Sequence, residues 1–310
     1  MAEAREQFVK GSSTIEGYFG WINERHAIYL RRVAGQPKPW TADPILRTYK
    51  FTNAFRELDK GTVALRTMER KWRESYLINR KSPPELVNRT GLNNTRALLI
   101  FNTFWYRLFN WYEHATNLGF CEDIQQLVDY MTHLHWIDGR IFTNAHMVRG
   151  IGGVRKVFPY LELSKEVWAV RHDLADTFAE LGTLQGAFDR IIQFYLMGDF
   201  TSYEIVCDLR WHVLVDAPDV LTWGNVGNGA VRGLKRLGMA PTCQSMMELH
   251  AMAPGYLTSD VCQHHPEGVS HNPLWPPFEL REIEHSLCEF DKYERARLGQ
   301  GKPRMKYNGG

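Results

Sequence analysis

Apolar positions along most of this chain recur at the three- and four-residue spacing of a helix face rather than at the alternation of a strand. Ile15, Phe19, Ile22, Tyr29 and Val33 form one such stripe. Ser13 and Glu16 have the spacing of a capping box ahead of it, and Gly35 supplies a stop. After a linker at Gln36–Pro39, Pro44 suits the first turn of a second helix, predicted to run to about Asp59. A third helix is expected over about residues 62–78, ending before Ser82-Pro83-Pro84. The stretch from about Thr95 to His114 is apolar nearly all round, which predicts a buried central helix. Further helical patterns fit 122–134, 164–180, 184–197, 201–211, 229–237 and 278–298. No alternating run bounded by tight-turn dipeptides stands out. Gly and Pro cluster at 150–153 and again over 253–277, where five prolines and three histidines predict a long loop. The expected class is all-α. Residues 1–310 read as a single helical domain, or as two lobes of about 1–115 with 278–310, and 116–277.

Composition narrows the class without changing it. An aromatic content of 13% with a net charge of +2 excludes disorder as the main state. No apolar run approaches the roughly 18 residues of a membrane span, and MAEAREQFVKGSS has no apolar signal core. Five scattered cysteines at 121, 207, 243, 262 and 288 form no disulfide framework, which fits a reducing cytoplasm. The near-neutral total hides an asymmetry. Residues 1–110 carry 19 Lys/Arg against 10 Asp/Glu, and 291–310 carry 6 against 2, whereas 111–290 are acidic. Two basic ends meeting in the fold would attract a polyanion; the same layout also fits a solvated surface.

Several segments carry candidate chemistry, each with a plain structural alternative. Gly224-Asn225-Val226-Gly227-Asn228-Gly229 opens a predicted helix, where free N–H groups bind anions, or it is simply a loop. It is not a Walker A loop, since no Lys-Ser/Thr follows. Cys262, His264 and His265 offer metal ligands in one ragged group, whereas zinc sites use two spaced pairs. Gly-x-Ser-x-Gly is absent, so carboxylates are the better candidates. Asp208, Asp216 and Asp219 crowd near Trp211 and Trp223, where desolvation would raise a carboxyl pKa and suit it to general acid or base work. Each Asp also has the simpler reading of a helix cap. At the C-terminus a helix over 279–298 leads into Lys302-Pro303-Arg304-Met305-Lys306, an arm for phosphates or a solvated tail. No cofactor follows from the sequence.

Trp40-Thr41-Ala42-Asp43-Pro44-Ile45-Leu46, then Tyr49, Phe51-Thr52-Asn53, Phe55-Arg56-Glu57 and Asp59, resemble the opening motif of the alpha-glutamyl/putrescinyl thymine pyrophosphorylases, the bacteriophage amino acid:DNA transferases. Glu284-His285-Ser286-Leu287-Cys288-Glu289-Phe290-Asp291-Lys292-Tyr293 resembles a second long motif, and Arg107–Trp111 and Tyr203–Leu209 are shorter matches. The resemblance covers about residues 18–307. It implies a phage enzyme of the host cytoplasm, acting on DNA in which 5-hydroxymethyluracil has been pyrophosphorylated. An amine such as glycine, glutamate or putrescine then displaces the pyrophosphate. It also implies a fold similar to helix-hairpin-helix DNA glycosylases, with Leu196-Met197-Gly198 starting the hairpin and Asp219 at the glycosylase aspartate. Asp199-Phe200 departs from that hairpin, and Asn144 and His146 stand where Gly and Tyr are expected.

Base flipping would call on aromatic surfaces, for which Trp111, Tyr203 and Trp223 are the candidates. Arg56, Lys292 and Arg304 are the candidate clamps for pyrophosphate and DNA. Asp208, Asp219 or His285 would take the amine's proton. The expected partners are DNA containing modified thymine and an amine or amino acid, with no membrane and no metal. The expected function is amine transfer onto that base. The alternatives are a glycosylase that excises a modified base and a helical DNA-binding protein without catalysis.

Overall fold

The computed structural model describes residues 13–79, 89–143, 155–261, 263–265, 268–270, 278–303 and 305–307. Its early helices are α1 (Ile15–Val33), α2 (Pro44–Thr48), α3 (Lys60–Asn79), α4 (Arg89–Phe109) and α5 (His114–Asn117). Next come α6 (Ile124–Trp136), α7 (Val157–Ala169), α8 (Arg171–Leu181), α9 (Leu184–Ile191) and α10 (Asp199–Leu209). The last are α11 (Asn228–Arg236), α12 (Cys243–Tyr256) and α13 (Leu280–Arg297). A two-stranded antiparallel ribbon, β1 (Gln263–His265) with β2 (Gly268–Ser270), is the one sheet among the described residues. The class is all-α. No helix among the described residues is long and apolar enough to cross a membrane.

The chain divides into two compact units, Met1–Asp59 with Val220–Gly310, and Lys60–Asp219. The divisions fall at 59/60 and 219/220, whereas the sequence predicts one helical domain, or two lobes dividing at about 115/116 and 277/278. Packing accounts for the difference: α3 joins α4 and α5 in the second unit, and α11 lies against α13 in the first.

In the first unit, α1 brings Tyr18, Phe19, Trp21 and Ile22 into a core shared with Ile283, Leu287 and Phe290 of α13 and Met246 and Leu249 of α12. Fully burying one such side chain contributes roughly 1.5–3 kcal/mol. Helix α13 starts with a capping box in which the Glu279 N–H donates to Glu282 Oε2 (3.0 Å). Its middle is held by Asp291, whose carboxylate accepts from Arg232 (2.8 Å), Arg236 (2.7 Å) and Arg295 (3.1 Å). Helix α11 approaches α13 through glycines. A Cβ on Gly229 would fall 2.2 Å from Cys288 Sγ, and one on Gly233 would fall 2.5 Å from the Leu287 carbonyl oxygen. Gly229, the last residue of the Gly224–Gly229 run, thus serves close helix packing, and Glu284 lies at the start of α11, 2.9 Å from where a Gly227 Cβ would sit.

The second unit is built round α4, as its all-round apolar pattern predicts. Phe101, Phe104, Trp105, Leu108 and Phe109 are buried, and α7, α8 and α10 pack on it. Asn102 closes the Cys121 turn by donating to its carbonyl and accepting its N–H.

Several local expectations change. Thr14 rather than Ser13 caps α1, accepting the Gly17 N–H at 3.0 Å, because the Ser13 hydroxyl is engaged with Glu294 Oε2 (2.5 Å). The helix expected from Pro44 to Asp59 stops at Thr48, and only Arg56–Leu58 returns to a 3-10 turn. Tertiary partners claim the intervening backbone. Thr48 C=O accepts from the Tyr307 N–H, and the Lys50 N–H donates to Met305 C=O. Arg25 takes the carbonyls of Phe51 and Thr52, and Glu289 accepts the Thr52 N–H. The pattern at 164–180 is two helices, α7 and α8, meeting at Val170. The segment expected over 184–197 leaves helix at Ile191, before Leu196 turns left-handed (φ 69°). Helix α12 was not legible and passes through Pro254, the first proline of the expected loop. The basic ends do meet: the arm at 305–307 pairs with 48–50 through one isolated bridge and its flanking bonds.

Candidate functional site

The two long motifs, distant in sequence, fold together inside the first unit. Asp43 caps α2 by accepting from the Ile45 and Leu46 N–H groups through one oxygen (2.7 and 2.9 Å). Its other oxygen accepts the Tyr293 hydroxyl of α13 (2.6 Å). The extended segment that follows is pinned from α1 and α13 together. Arg25 donates to Thr52 C=O (2.7 Å) and Asn53 Oδ1 (2.9 Å), and Glu289 Oε2 accepts the Thr52 N–H (3.0 Å).

Asn53 then organises an acidic centre. Its N–H and side-chain amide both donate to Asp59 Oδ1 (2.8 and 3.0 Å), and the amide also reaches Leu58 C=O (2.7 Å). The other Asp59 oxygen lies 3.8 Å from His285 Nε2. Burial pushes the Asp59 carboxyl above its ordinary value, against the opposing pull of His285, Asn53, Arg56 and Arg25. One turn further along α13, Glu289 holds the Lys292 ammonium at 2.6 and 2.8 Å. Burial works to raise the Glu289 carboxyl, but Lys292, His285 and the two donated hydrogen bonds outweigh it and hold it low. The Lys292 ammonium also lies 4.7 Å from the centre of the Phe51 ring. Arg56 is buried beside this centre and acts electrostatically on Asp59. Arg281 pairs with Glu57 at 3.1 Å. A carboxylate–imidazole pair next to buried cations can accept a proton and compensate an anion, which is the equipment of a displacement with a charged leaving group.

The sequence-nominated residues divide between the units. His285, Arg56, Lys292 and Trp223 belong to the first; Arg304, Asn144, His146 and Cys262, with the side chains of His264 and His265, lie outside what is described. Among the described residues no group of three His, Cys, Asp or Glu is placed to hold a metal ion.

Asp208, Asp219, Trp111 and Tyr203 belong to the second unit. Asp208 is wholly buried, bonded through Oδ2 to Arg107 Nε and through Oδ1 to Arg107 Nη2 (3.0 Å). Arg66 donates to its backbone carbonyl (2.9 Å) and extends the network to Glu69 and His212. Asp219 caps α9, one oxygen accepting the Leu184 N–H (2.8 Å) and the other the Gln185 N–H (2.9 Å). Trp111 is half-buried, with the Arg140 guanidinium 3.8 Å from its ring centre and Nε1 donating to Glu113 (3.3 Å). Tyr203 is buried in the core. Arg25 and Glu289, which shape the first-unit site, were not nominated; Glu289 stood in a quoted motif, and Arg25 had no signal beyond the basic N-terminal block.

Comparison with known proteins gives the following likenesses. The family model described as "5-hmdU DNA kinase, helical domain" matches residues 12–302. A 5-hmdU DNA kinase of Bacillus phage SP10 is 25% identical over 309 residues, covering 91% of this chain and 45% of that protein. The chain thus spans about half the length of that relative. No solved structure matches.

Proposed function

The chain belongs to the 5-hmdU DNA kinase helical-domain family, and from that premise we propose that it hypermodifies phage DNA, transferring an amine onto pyrophosphorylated 5-hydroxymethyluracil. The observation that carries this reading is the folding together of Trp40–Asp59 and Glu284–Tyr293 around the Asp59–His285 pair. The amine nitrogen attacks the 5-methylene carbon; the C–N bond forms as the C–O bond breaks and pyrophosphate departs. The proton shed by the nitrogen passes to His285, oriented by Asp59. Arg56 and Lys292 neutralise the leaving group, and Arg304 is a third candidate by sequence alone. Trp223, in the same unit as the Asp59–His285 pair, is the aromatic surface offered to an extruded base. Asp208 and Asp219 hold the second unit together rather than acting on substrate.

A second reading is favoured by the likeness to the 5-hmdU DNA kinase of phage SP10: the domain presents the hydroxymethyl base to phosphoryl transfer from a nucleotide. No Gly-x₄-Gly-Lys-Ser/Thr spacing occurs in this sequence, so on that reading its part is to hold the base.

One experiment separates these readings. DNA containing pyrophosphorylated 5-hydroxymethyluracil is treated with the protein and a pool of glycine, glutamate and putrescine; a parallel arm supplies 5-hydroxymethyluracil DNA with ATP. Nucleosides are then read by mass spectrometry. An amine adduct in the first arm is the expected result, and His285→Ala is expected to lower its rate about 10²–10⁴-fold. Phosphorylated base in the second arm alone supports the kinase-coupled reading, and abasic sites would make the protein a glycosylase. Full turnover by His285→Ala would remove that residue from the chemistry.

A further inference from the structure

The first unit contains a cavity of about 220 Å³ whose residues no step above uses. It lies where the second half of α1, the linker at 38–41, α2 and the C-terminal arm come together. Four cations line it, Arg25, Arg32, Lys38 and Arg47, and no carboxylate is among the described lining side chains. The same walls are aromatic. Trp40 and Tyr307 stand edge to face with ring centres 6.2 Å apart, and the Lys38 ammonium lies 5.1 and 6.0 Å from those two centres. The Trp40 ring is fixed by its Nε1–H donating to Gln36 C=O (2.6 Å), and Tyr307 by its backbone bond to Thr48.

The most buried cation is the most telling. Arg25 is 8% exposed, and its Nε and Nη2 donate to the extended segment, but its Nη1 is buried with no hydrogen-bond partner. The Tyr307 hydroxyl is a second buried polar atom in the lining without one. A buried guanidinium nitrogen left unbonded costs free energy that an entering anion would return. Burial also pulls the Arg25 pKa down, outweighing the attraction of Asp59 and Glu289.

We propose that this cavity binds a phosphate or diphosphate ester carried on a single planar ring, with the anion between Arg25, Arg32 and Arg47 and the ring against Trp40 and Tyr307. The chemistry of the walls sets the class: four cations grouped round one cavity call for a multiply charged anion, and the aromatic faces call for a ring. Size sets the limit. A volume of about 220 Å³ is below the range of roughly 300–1,000 Å³ typical of sites for drug-sized ligands, so a single base with its phosphates is the scale of the occupant. The ring bearing the anion is either a base extruded from DNA or a free nucleotide. The choice of DNA-borne base rests on the function proposed above; the anion site itself does not.

The test is calorimetric titration of the full chain with three probes: inorganic pyrophosphate, thymidine 5′-diphosphate, and a duplex oligonucleotide bearing one pyrophosphorylated 5-hydroxymethyluracil. Arg25 also braces the fold, so the variants are Lys38→Ala, Arg47→Ala and the pair, both being exposed side chains. Unchanged melting temperature and circular dichroism establish that the fold survives. The expected result is pyrophosphate binding that weakens with salt and falls at least tenfold in the double variant. Tighter binding of the oligonucleotide than of thymidine 5′-diphosphate assigns the ring to DNA, and the reverse assigns it to a free nucleotide. Absence of pyrophosphate binding to the unaltered protein, or equal binding by the double variant, overturns the proposal. The two proposals fail separately. Equal pyrophosphate binding by the double variant would sink the cavity but leave amine transfer standing, and cavity binding without any DNA product would do the opposite.

Discussion

Asp208 shows how a single carboxylate changes meaning once its partners are visible. From the sequence it stood among tryptophans as a candidate acid or base. In the fold it is wholly buried and bonded to Arg107 through both oxygens, so its charge is already used. The attraction also acts on the other member: burial works to lower the Arg107 pKa, but the charge and hydrogen bond of Asp208, with Glu204, outweigh it and hold it high. Removing one side of a buried, hydrogen-bonded pair leaves the other charge stranded, at a cost of roughly 3–5 kcal/mol. Asp208→Ala is therefore expected to lower urea-denaturation stability by about that much. A variant of unchanged stability with lost product would instead make Asp208 part of the chemistry. Nothing in the sequence could pair it with a residue 101 positions earlier, because that neighbourhood exists only after α4 and α10 pack. Asp59 is the converse case. It was legible within a motif, but its place beside His285 required the return of α13.

At the scale of elements, what was legible is what local sequence controls. Helix α4 has an apolar surface on nearly every face and is the centre of its unit; α13 has its stripe and lies where its periodicity put it. Helix α2 was overestimated because Arg25, Glu289 and the 305–307 arm take the backbone groups that a longer helix would have used. The packing of α11 on α13 was equally invisible, since the Gly224–Gly229 run also reads as a phosphate loop. Its real demand is steric, and that can be tested. Gly233→Ala places a methyl 2.5 Å from the Leu287 carbonyl oxygen, a backbone atom that cannot step aside, and should cost about 1–3 kcal/mol. Gly255→Ala, in α12 with nothing within 4 Å of the added carbon, should cost nothing or stabilise by about 0.5–1 kcal/mol. Thermal melts of the two variants against the unaltered protein check both signs. An unchanged melting temperature for Gly233→Ala would mean that α11 can shift away from α13.

For the molecule as a whole, buried titrating groups pull stability in opposite directions across the pH scale. Burial takes His26 down to about 4, so it folds neutral, and charging it favours unfolding as pH drops from 6.5 towards 4. Glu289 and Asp291 are held low despite burial, by Lys292 in the first case and by Arg232 and Arg236 in the second. Their contribution is present above the ordinary carboxylate range and is lost as pH falls through it. Glu282 works the other way. Burial pushes its carboxyl up to about 7, so the folded protein holds a proton that the unfolded chain releases near 4.5. Its contribution is full at the acid end and declines as pH rises from about 4.5 to 7. Among these groups the loss at acid pH comes from His26, Glu289 and Asp291, and the loss as pH rises comes from Glu282, with Asp59, also raised by burial, acting in the same direction. Glu282→Gln keeps the volume and cannot ionise, so it should gain on the unaltered protein as pH rises from 5 to 8. At about 1.4 kcal/mol per pKa unit the relative gain has an upper bound of about 3 kcal/mol, reduced by whatever attraction to Arg281 the carboxylate retains. Urea denaturation at pH 5, 6, 7 and 8 measures it directly. Parallel curves for the two proteins would mean that Glu282 is ionised in the fold throughout, with Arg281 fully compensating its burial.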